Sequence, residues 1–361
     1  MKRTRKAAAA ALLIAAASFL YGCGKGQGST SKNSPETSEK TADDTALTIG
    51  FAQVGEESDW RRANSESILN AFTAENGYNL LFEDAQNDPD VQMASVQKFI
   101  QEGVDYIVLE PIIETGWDPI LKEVKEAGIP VIVADRNVAV SDDSLVTAWV
   151  GSDWLLEGAK ACEWLNEYCR KHDIPPTSLK IVNIQGTIGS SPQIGRDAAL
   201  RMSAGKYGWK MLGTSKGEFT QAKGREAMDD LIGRFPDLNV VYCDNDNEAY
   251  GAIEALEEAG KTIGTDLENG EVMLISFDAA RQGLSYVKEG KIACDVECNP
   301  DHGPRIRDLI GKLERGETVE KEQAVSEQIF ARTDEIESVT VSDQEYPVVP
   351  VTDELLAERT Y

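Results

Sequence analysis

Residues 117–136 read WDPILKEVKEAGIPVIVADR. The amphipathic stretch 117–127 predicts a helix, Gly128 stops it, and the β-branched run Val131–Ala134 predicts a strand. That strand ends on Asp135 and Arg136. Two adjacent charges at the end of a buried strand need partners, because an unpaired buried charge is costly.

The same beat runs outward in both directions. Upstream, 47–52 predicts a strand, 65–75 a helix with Ile68, Leu69 and Phe72 on one face, and 79–82 a strand. Asp88-Pro89 caps and starts a helix striped by Met93, Val96, Phe99 and Ile100, and Tyr106–Leu109 predicts the next strand. Downstream, strands are predicted at 181–184, 210–212, 240–242, 273–275 and 292–296. Helices around 155–168, 194–206, 221–234, 247–259, 280–288 and 302–315 separate them. Strands alternating with helices imply parallel sheets covered on both faces. There are too many strands for one compact sheet, and the rhythm has a join near 147–153. The expected architecture is therefore α/β, with two doubly wound parallel-sheet lobes and a cleft between them.

In such sheets ligands collect beyond the carboxyl ends of the strands. Those ends carry residues 53–61, then Asp84-Ala85-Gln86, Glu110, Asp135-Arg136, Gln185-Gly186, Asn245-Asp246, Asp278 and Glu297. Carboxylates, amides and guanidinium forks converging with Trp60 and Phe219 suit a polyhydroxyl ring. A polar residue at a strand end also commonly caps the next helix, and Asp84, Gln86 and Glu110 fit that reading equally.

The chain has 361 residues and a formal charge of −26. Lys2, Arg3, Arg5 and Lys6 precede an apolar run, 7–20, and then Tyr21-Gly22-Cys23: the pattern of a signal peptide, 1–22. Its apolar run is shorter than the roughly 20 residues of a membrane span. Removing it takes away four cations and leaves a charge near −30. So acidic a chain repels nucleic acid phosphates. The acids are spread along the chain and read as solvated faces. Residues 23–46 are rich in Gly, Ser, Thr and Lys and read as a flexible tether. LYGC, 20–23, resembles a bacterial lipobox, which implies a lipid on Cys23 and an extracytoplasmic protein anchored to the outer face of the cell membrane.

Besides Cys23, the cysteines are Cys162, Cys169, Cys243, Cys294 and Cys298. Cys162 and Cys169 are about 10 Å apart along a helix. Cys294 and Cys298 are about 13 Å apart along a strand. Neither spacing permits a disulfide, and any bridge would join different elements. With only His172 and His302 and no CxxC pair, no metal is expected, and no cofactor either.

Several separated motifs, GIPVIVADR (128–136), NIQGTIGSS (183–191), GEFTQAKGREAM (217–228), CDNDNEAYGAIEALEEAG (243–260) and LISFDAARQG (274–283), resemble the type I periplasmic sugar-binding proteins of ABC importers. FAQVGEESDWR (51–61) and the TGW at 115–117 are more similar to the galactofuranose-binding branch. The resemblance covers 47 to about 330. It implies a sugar grip formed by Glu57, Ser58, Asp59, Trp60, Arg61, Asp135 and Arg136 from the first lobe and Arg196, Asn245 and Asp278 from the second, with Phe219, Glu297 and Asp84 as further candidates. Arg62 falls outside the motif and reads as a solvated neighbour. Cys243-Asp244 and Cys298 depart from the pattern of relatives; Cys298 stands where some ribose binders have Gln.

The resemblance also implies a hinge of three crossings, expected near 151, 298 and 321. The first lobe would then be 47–151 plus about 298–320, and the second 152–297 plus about 321–361. Helix 302–315 would return to the first lobe, and a strand around 325–330 would belong to the second. The implied partners are a monosaccharide, the permease and ATPase of an ABC importer, and the membrane through the lipid only; a monomer without enzymatic activity is expected. A sugar-sensing receptor subunit would share this grip. A LacI-type regulator would need an N-terminal helix-turn-helix. A glycosidase would need a carboxylate pair about 5–9 Å apart, and no spacing singles one out. The 186–196 loop matches neither phosphate-binding glycine motif.

Overall fold

The computed structural model describes residues 46–333 and 335–361. The signal peptide, nearly all of the tether and Cys23 lie outside them. Among the described residues no helix is long and apolar enough to cross a membrane.

Two parallel-dominated sheets carry the molecule. The first has the order β11-β5-β4-β3-β1-β2, where β1 is Leu47–Gln53, β2 Tyr78–Asp84, β3 Tyr106–Leu109, β4 Val131–Ala134, β5 Ala148–Gly151 and β11 Glu322–Ala324. The second has the order β13-β14-β12-β10-β9-β8-β6-β7. Its strands are β6 (Lys180–Gln185), β7 (Lys210–Lys216), β8 (Val240–Cys243), β9 (Met273–Asp278), β10 (Cys294–Glu297), β12 (Ile329–Ala331), β13 (Ser338–Val341) and β14 (Gln344–Pro350). β3, β4 and β5 are buried at every position, as short apolar strands covered on both faces should be. The register sets Gln53 opposite Asp84 and Asp278 opposite Glu297, so the strand ends of each sheet form one polar rim.

The quoted stretch folds as read. α3 (Asp118–Ala127) buries Ile120, Leu121 and Val124, and Gly128 closes it in the left-handed conformation at φ +74°. α2 (Pro89–Glu102) starts at the Asp88 cap. The first helix differs from expectation: α1 is Asp59–Ala71 rather than 65–75. Ser58 caps it, accepting from the Arg61 amide at 3.1 Å. The inward face of its early turns is Trp60, Arg61 and Asn64, all buried. That face is mostly polar, so the apolar period starts only at Ile68 and conceals the true beginning. Leu69 is 43% exposed and does not share the buried face.

The chain passes between the sheets three times, consistent with the expected hinge. The passages are 152–153, leading into α4 (Trp154–Lys171); 298–302, leading into α9 (Gly303–Glu314); and 325–328. α9 packs Ile306, Leu309 and Ile310 on the first sheet. The third passage falls later than 321, because β11 pairs with β5 and so extends the first sheet. The expected single strand at 325–330 is replaced by β11 and β12 on either side of that passage. β12 runs antiparallel to β10, and β13–β14 form a hairpin, so one edge departs from a purely parallel sheet. The five described cysteines are free, buried thiols.

Candidate functional site

Residues from both rims meet around a narrow cavity with about 20 Å³ of room for water-sized centres, lined by Glu57, Ser58, Trp60, Arg61, Asp135, Arg136, Trp154, Pro192, Arg196, Phe219, Asn245, Asp278 and Cys298. Of the thirteen residues expected there, ten line it.

Three do not. The Asp59 side chain points outward and pairs with Arg62, while its backbone N–H reaches Asn247 Oδ1 of the other lobe at 3.1 Å. Asp84 accepts from the Gln86 amide at 2.7 Å and so shapes a turn. Glu297 is taken by Arg359, by the Tyr361 hydroxyl and by the Gln328 amide. Arg62 is solvated, as read. Trp154, Pro192 and Cys298 were not among the expected residues; Cys298 stood out only as a departure from relatives, and Trp154 sits directly after the first passage.

The first lobe's half is an ionic network on the ends of β1, β3 and β4 and the first turn of α1. Arg61 donates to Glu110 at 2.5 Å, to Asp135 at 2.6 Å and to Glu57 at 3.2–3.3 Å. Arg136 donates through Nη2 to Glu57 and through Nη1 to the Ile112 carbonyl at 3.2 Å. Asp135 therefore braces Arg61 more than Arg136, whose Nε is 4.0 Å from it. Burial pushes the Asp135 carboxyl up, but Arg61 and Arg136 together hold it below its ordinary value. Burial prevails at Glu110, which rises to about 7. Two guanidiniums thus face three carboxyls, and Glu110 takes a proton near neutral pH. Glu57 Oε2 and Arg136 Nε remain without a hydrogen-bond partner. Trp60 donates from Nε1 to the Cys298 carbonyl at 2.6 Å, which ties the first lobe's wall to the second passage.

The second lobe's half is held by buried acids, against the expectation that the acids are solvated faces. Arg196, on α5 (Ser191–Tyr207), pairs with Glu157 at 2.7–2.8 Å and donates to the Asp244 carbonyl. Asp244, Asp246 and Glu248 surround the start of α7 (Asp246–Glu258), and each pins a different loop. Asp244 accepts from the Gly186 amide at 3.0 Å, Asp246 from Ala280 at 2.9 Å and Glu248 from Phe219 at 2.9 Å. Burial raises Asp244 to about 7 and the other two well above their ordinary range. Asn245 caps α7 and donates to the Phe219 carbonyl at 3.2 Å. Gly186 is required for space: a Cβ there would stand 2.0 Å from the Phe219 ring.

Asp135, Phe219 and Asp278 take φ values of +52°, +60° and +106°. Each such residue costs on the order of 1–3 kcal/mol, and such strain gathers at ligand clamps. Arg136 lies 5.1 Å over the Phe219 ring, a cation–π contact across the cleft. The Asn137 amide reaches Ser191 Oγ at 2.8 Å, and the Glu114 amide the Gly189 carbonyl at 3.0 Å. The lobes are therefore closed on each other.

Comparison with known proteins agrees with this architecture. A model described as periplasmic binding protein domain matches residues 49–301. The galactofuranose-binding protein YtfQ of Escherichia coli (strain K12) is 32% identical over 277 residues, 76% of this chain and 84% of that protein. A crystal structure from Mycobacterium smegmatis in complex with β-D-fucofuranose is 38% identical with a TM-score of 0.74, covering 79% of this chain and 91% of that one. The periplasmic binding component of the arabinose ABC transporter from Shewanella sp. ANA-3, bound to α- and β-L-arabinofuranose, is 35% identical with a TM-score of 0.72 and the same coverage. With the family's model matched over most of its length and a cavity formed between two doubly wound lobes, the chain belongs to the periplasmic binding protein family.

Proposed function

We propose that this protein captures a neutral monosaccharide, in a furanose form such as galactofuranose, and delivers it to an ABC importer. The observation that carries the reading is the set of atoms without a hydrogen-bond partner on the cavity's residues: an acceptor, Glu57 Oε2, and three donors, Arg136 Nε, Trp154 Nε1 and Arg196 Nη2, the last ion-paired with Glu157. Hydroxyl groups, which donate and accept, match such a mixed set. The charges already balance within the protein. Arg61 and Arg136 face Glu57 and Asp135, Arg196 faces Glu157, and burial raises the Asp278 carboxyl well above its ordinary range. An ionic ligand would therefore find no free counter-charge. Trp60 and Phe219, each with a guanidinium over one face, are the aromatic surfaces that C–H groups can meet. The furanose choice follows the similar proteins, named for or bound to galactofuranose, fucofuranose and arabinofuranose.

Calorimetry against galactofuranose, arabinose, ribose, galactose and glucose tests this reading. A furanose-forming sugar is expected to bind most tightly, and failure of all five would overturn the proposal. The lipobox resemblance supports anchoring by a lipid on Cys23. A fatty-acid analogue should label the wild-type protein in its bacterial host and leave Cys23→Ser unlabelled; an unlabelled wild type would mean a freely secreted protein.

A further inference from the structure

The three inter-lobe passages meet at one buried cluster. Ser152 lies on the first, Cys298 and Asn299 on the second, and Glu327 on the third. Glu327 Oε1 accepts from Ser152 Oγ at 2.5 Å and from the Asn299 amide at 2.8 Å. Lys160 Nζ donates to the Glu327 carbonyl at 3.0 Å, and Ser152 Oγ is 3.4 Å from Cys298 Sγ. Glu157, one turn into α4, is 1% exposed. Its Oε2 takes Arg196, and its Oε1 has no protein donor. One carboxylate oxygen each of Glu157 and Glu327 and the Cys298 sulfur lie within 4.8 Å of one another.

Two buried carboxylates this close cannot both be charged without a large cost. Neither can donate to the other unless one of them holds a proton. We propose that Glu157 and Glu327 share one proton, and that this protonated pair is a positioning element: it ties the three passages together and aims Arg196 at the ligand. The inference rests on the sugar-binding reading of the cleft. A proton fits better than a divalent cation, because Arg196 and Lys160 already face the cluster with positive charge. The other titratable groups around it are Cys298 and, beyond Arg196, Asp278, whose Oδ1 is 3.8 Å from Arg196 Nη2. Burial raises both glutamates above their ordinary range.

In the proposal, closure buries the pair and raises its pKa above the open-form value, so the shared proton stabilises the closed form fully below that open-form value. That contribution is lost as pH rises through the raised value. Losing the proton sets the two carboxylates against each other and draws Arg196 between them. Ligand affinity therefore falls on the alkaline side.

Calorimetric titration with D-galactose, whose solutions contain the furanose form, between pH 6 and pH 9 tests the proposal. Wild-type affinity is expected to fall by about tenfold or more across that range. Glu327→Gln keeps an oxygen for Ser152 and Asn299 and turns a permanent N–H toward Glu157. Its profile should fall less steeply than wild type's, keeping only what Glu110 and Asp278 contribute, with tighter binding than wild type at pH 9. A flat wild-type profile, or a variant that follows the wild-type slope, overturns the inference while leaving sugar binding intact. Absence of binding by the wild type at every pH overturns the sugar-binding reading and this inference with it. Infrared spectra of the ligand-free proteins at pH 7 should show protonated-carboxyl absorption that is weaker by one carboxyl in Glu327→Gln than in wild type; equal absorption would also overturn it. Zinc chloride is expected to show no binding that depends on Cys298, and zinc binding lost in Cys298→Ser would put a cation in place of the proton.

Discussion

Arg61→Ala is expected to destabilise the first lobe by about 3–5 kcal/mol, the cost of removing one partner from a buried ion network. Arg61 is 2% exposed and bonds to three carboxylates. Without it, Glu57, Glu110 and Asp135 would share only Arg136, which reaches Glu57 and stands 4.0 Å from Asp135. Glu110 and Asp135 would then take up protons or admit water. Arg61→Lys should recover only part of the loss, since one ammonium cannot replace a fork that engages three acids. Urea denaturation followed by tryptophan fluorescence reads the effect. A loss below about 1 kcal/mol, the worth of an exposed pair, would show that the network does not hold the lobe together.

Arg136→Ala is expected to weaken sugar binding by more than about a hundredfold. A free guanidinium fork can give two hydrogen bonds to one ligand. The structure commits Nη1 and Nη2 to Ile112 and Glu57 and leaves Nε. Its plane also covers Phe219 on the opposite lobe. A hydrogen bond from a charged group is worth about 1.5–3 kcal/mol, and a cation–π contact about 0.5–2 kcal/mol. Their loss together is about 3 kcal/mol, and each 1.4 kcal/mol is about tenfold in affinity. The Phe219 contact exists only when the lobes are closed, so the variant should also favour the open form. Arg136→Lys should restore little. Calorimetry with the best-binding sugar decides, and an alanine variant within a fewfold of wild type would place the site elsewhere.

Where strands are short and wholly apolar, the fold was legible. Val131–Ala134 and Tyr106–Leu109 have one environment on both faces, so composition alone marks them, and Asp88-Pro89 and Gly128 mark helix ends by their own stereochemistry. The start of α1 was hidden because Arg61 and Asn64 face inward as a polar network, which no apolar period reports. The β13–β14 hairpin escaped because its turn uses Ser342-Asp343, both with positive φ, in place of the usual Gly-containing pair. β11 is only Glu322–Ala324, without a buried residue to betray it.

In the site, Asp135, Arg136, Asn245 and Asp278 were visible as polar strand ends. Their division of labour was not. Whether a charged group meets ligand or another side chain depends on contacts between distant segments, such as Arg61 with Glu110 or Arg196 with Glu157. Asp84 and Glu297 have the same sequence signature as the cavity residues, yet a turn and the C-terminal Arg359 and Tyr361 claim them.

The central claim is that one sugar is held by both lobes at once. A crystal structure of the protein grown with the sugar that binds most tightly tests it directly. A single furanose ring is expected between Trp60 and Phe219, in contact with Glu57 and Arg136 on one side and Arg196 and Asp278 on the other. A sugar bound to one lobe alone, or outside this cavity, would contradict it.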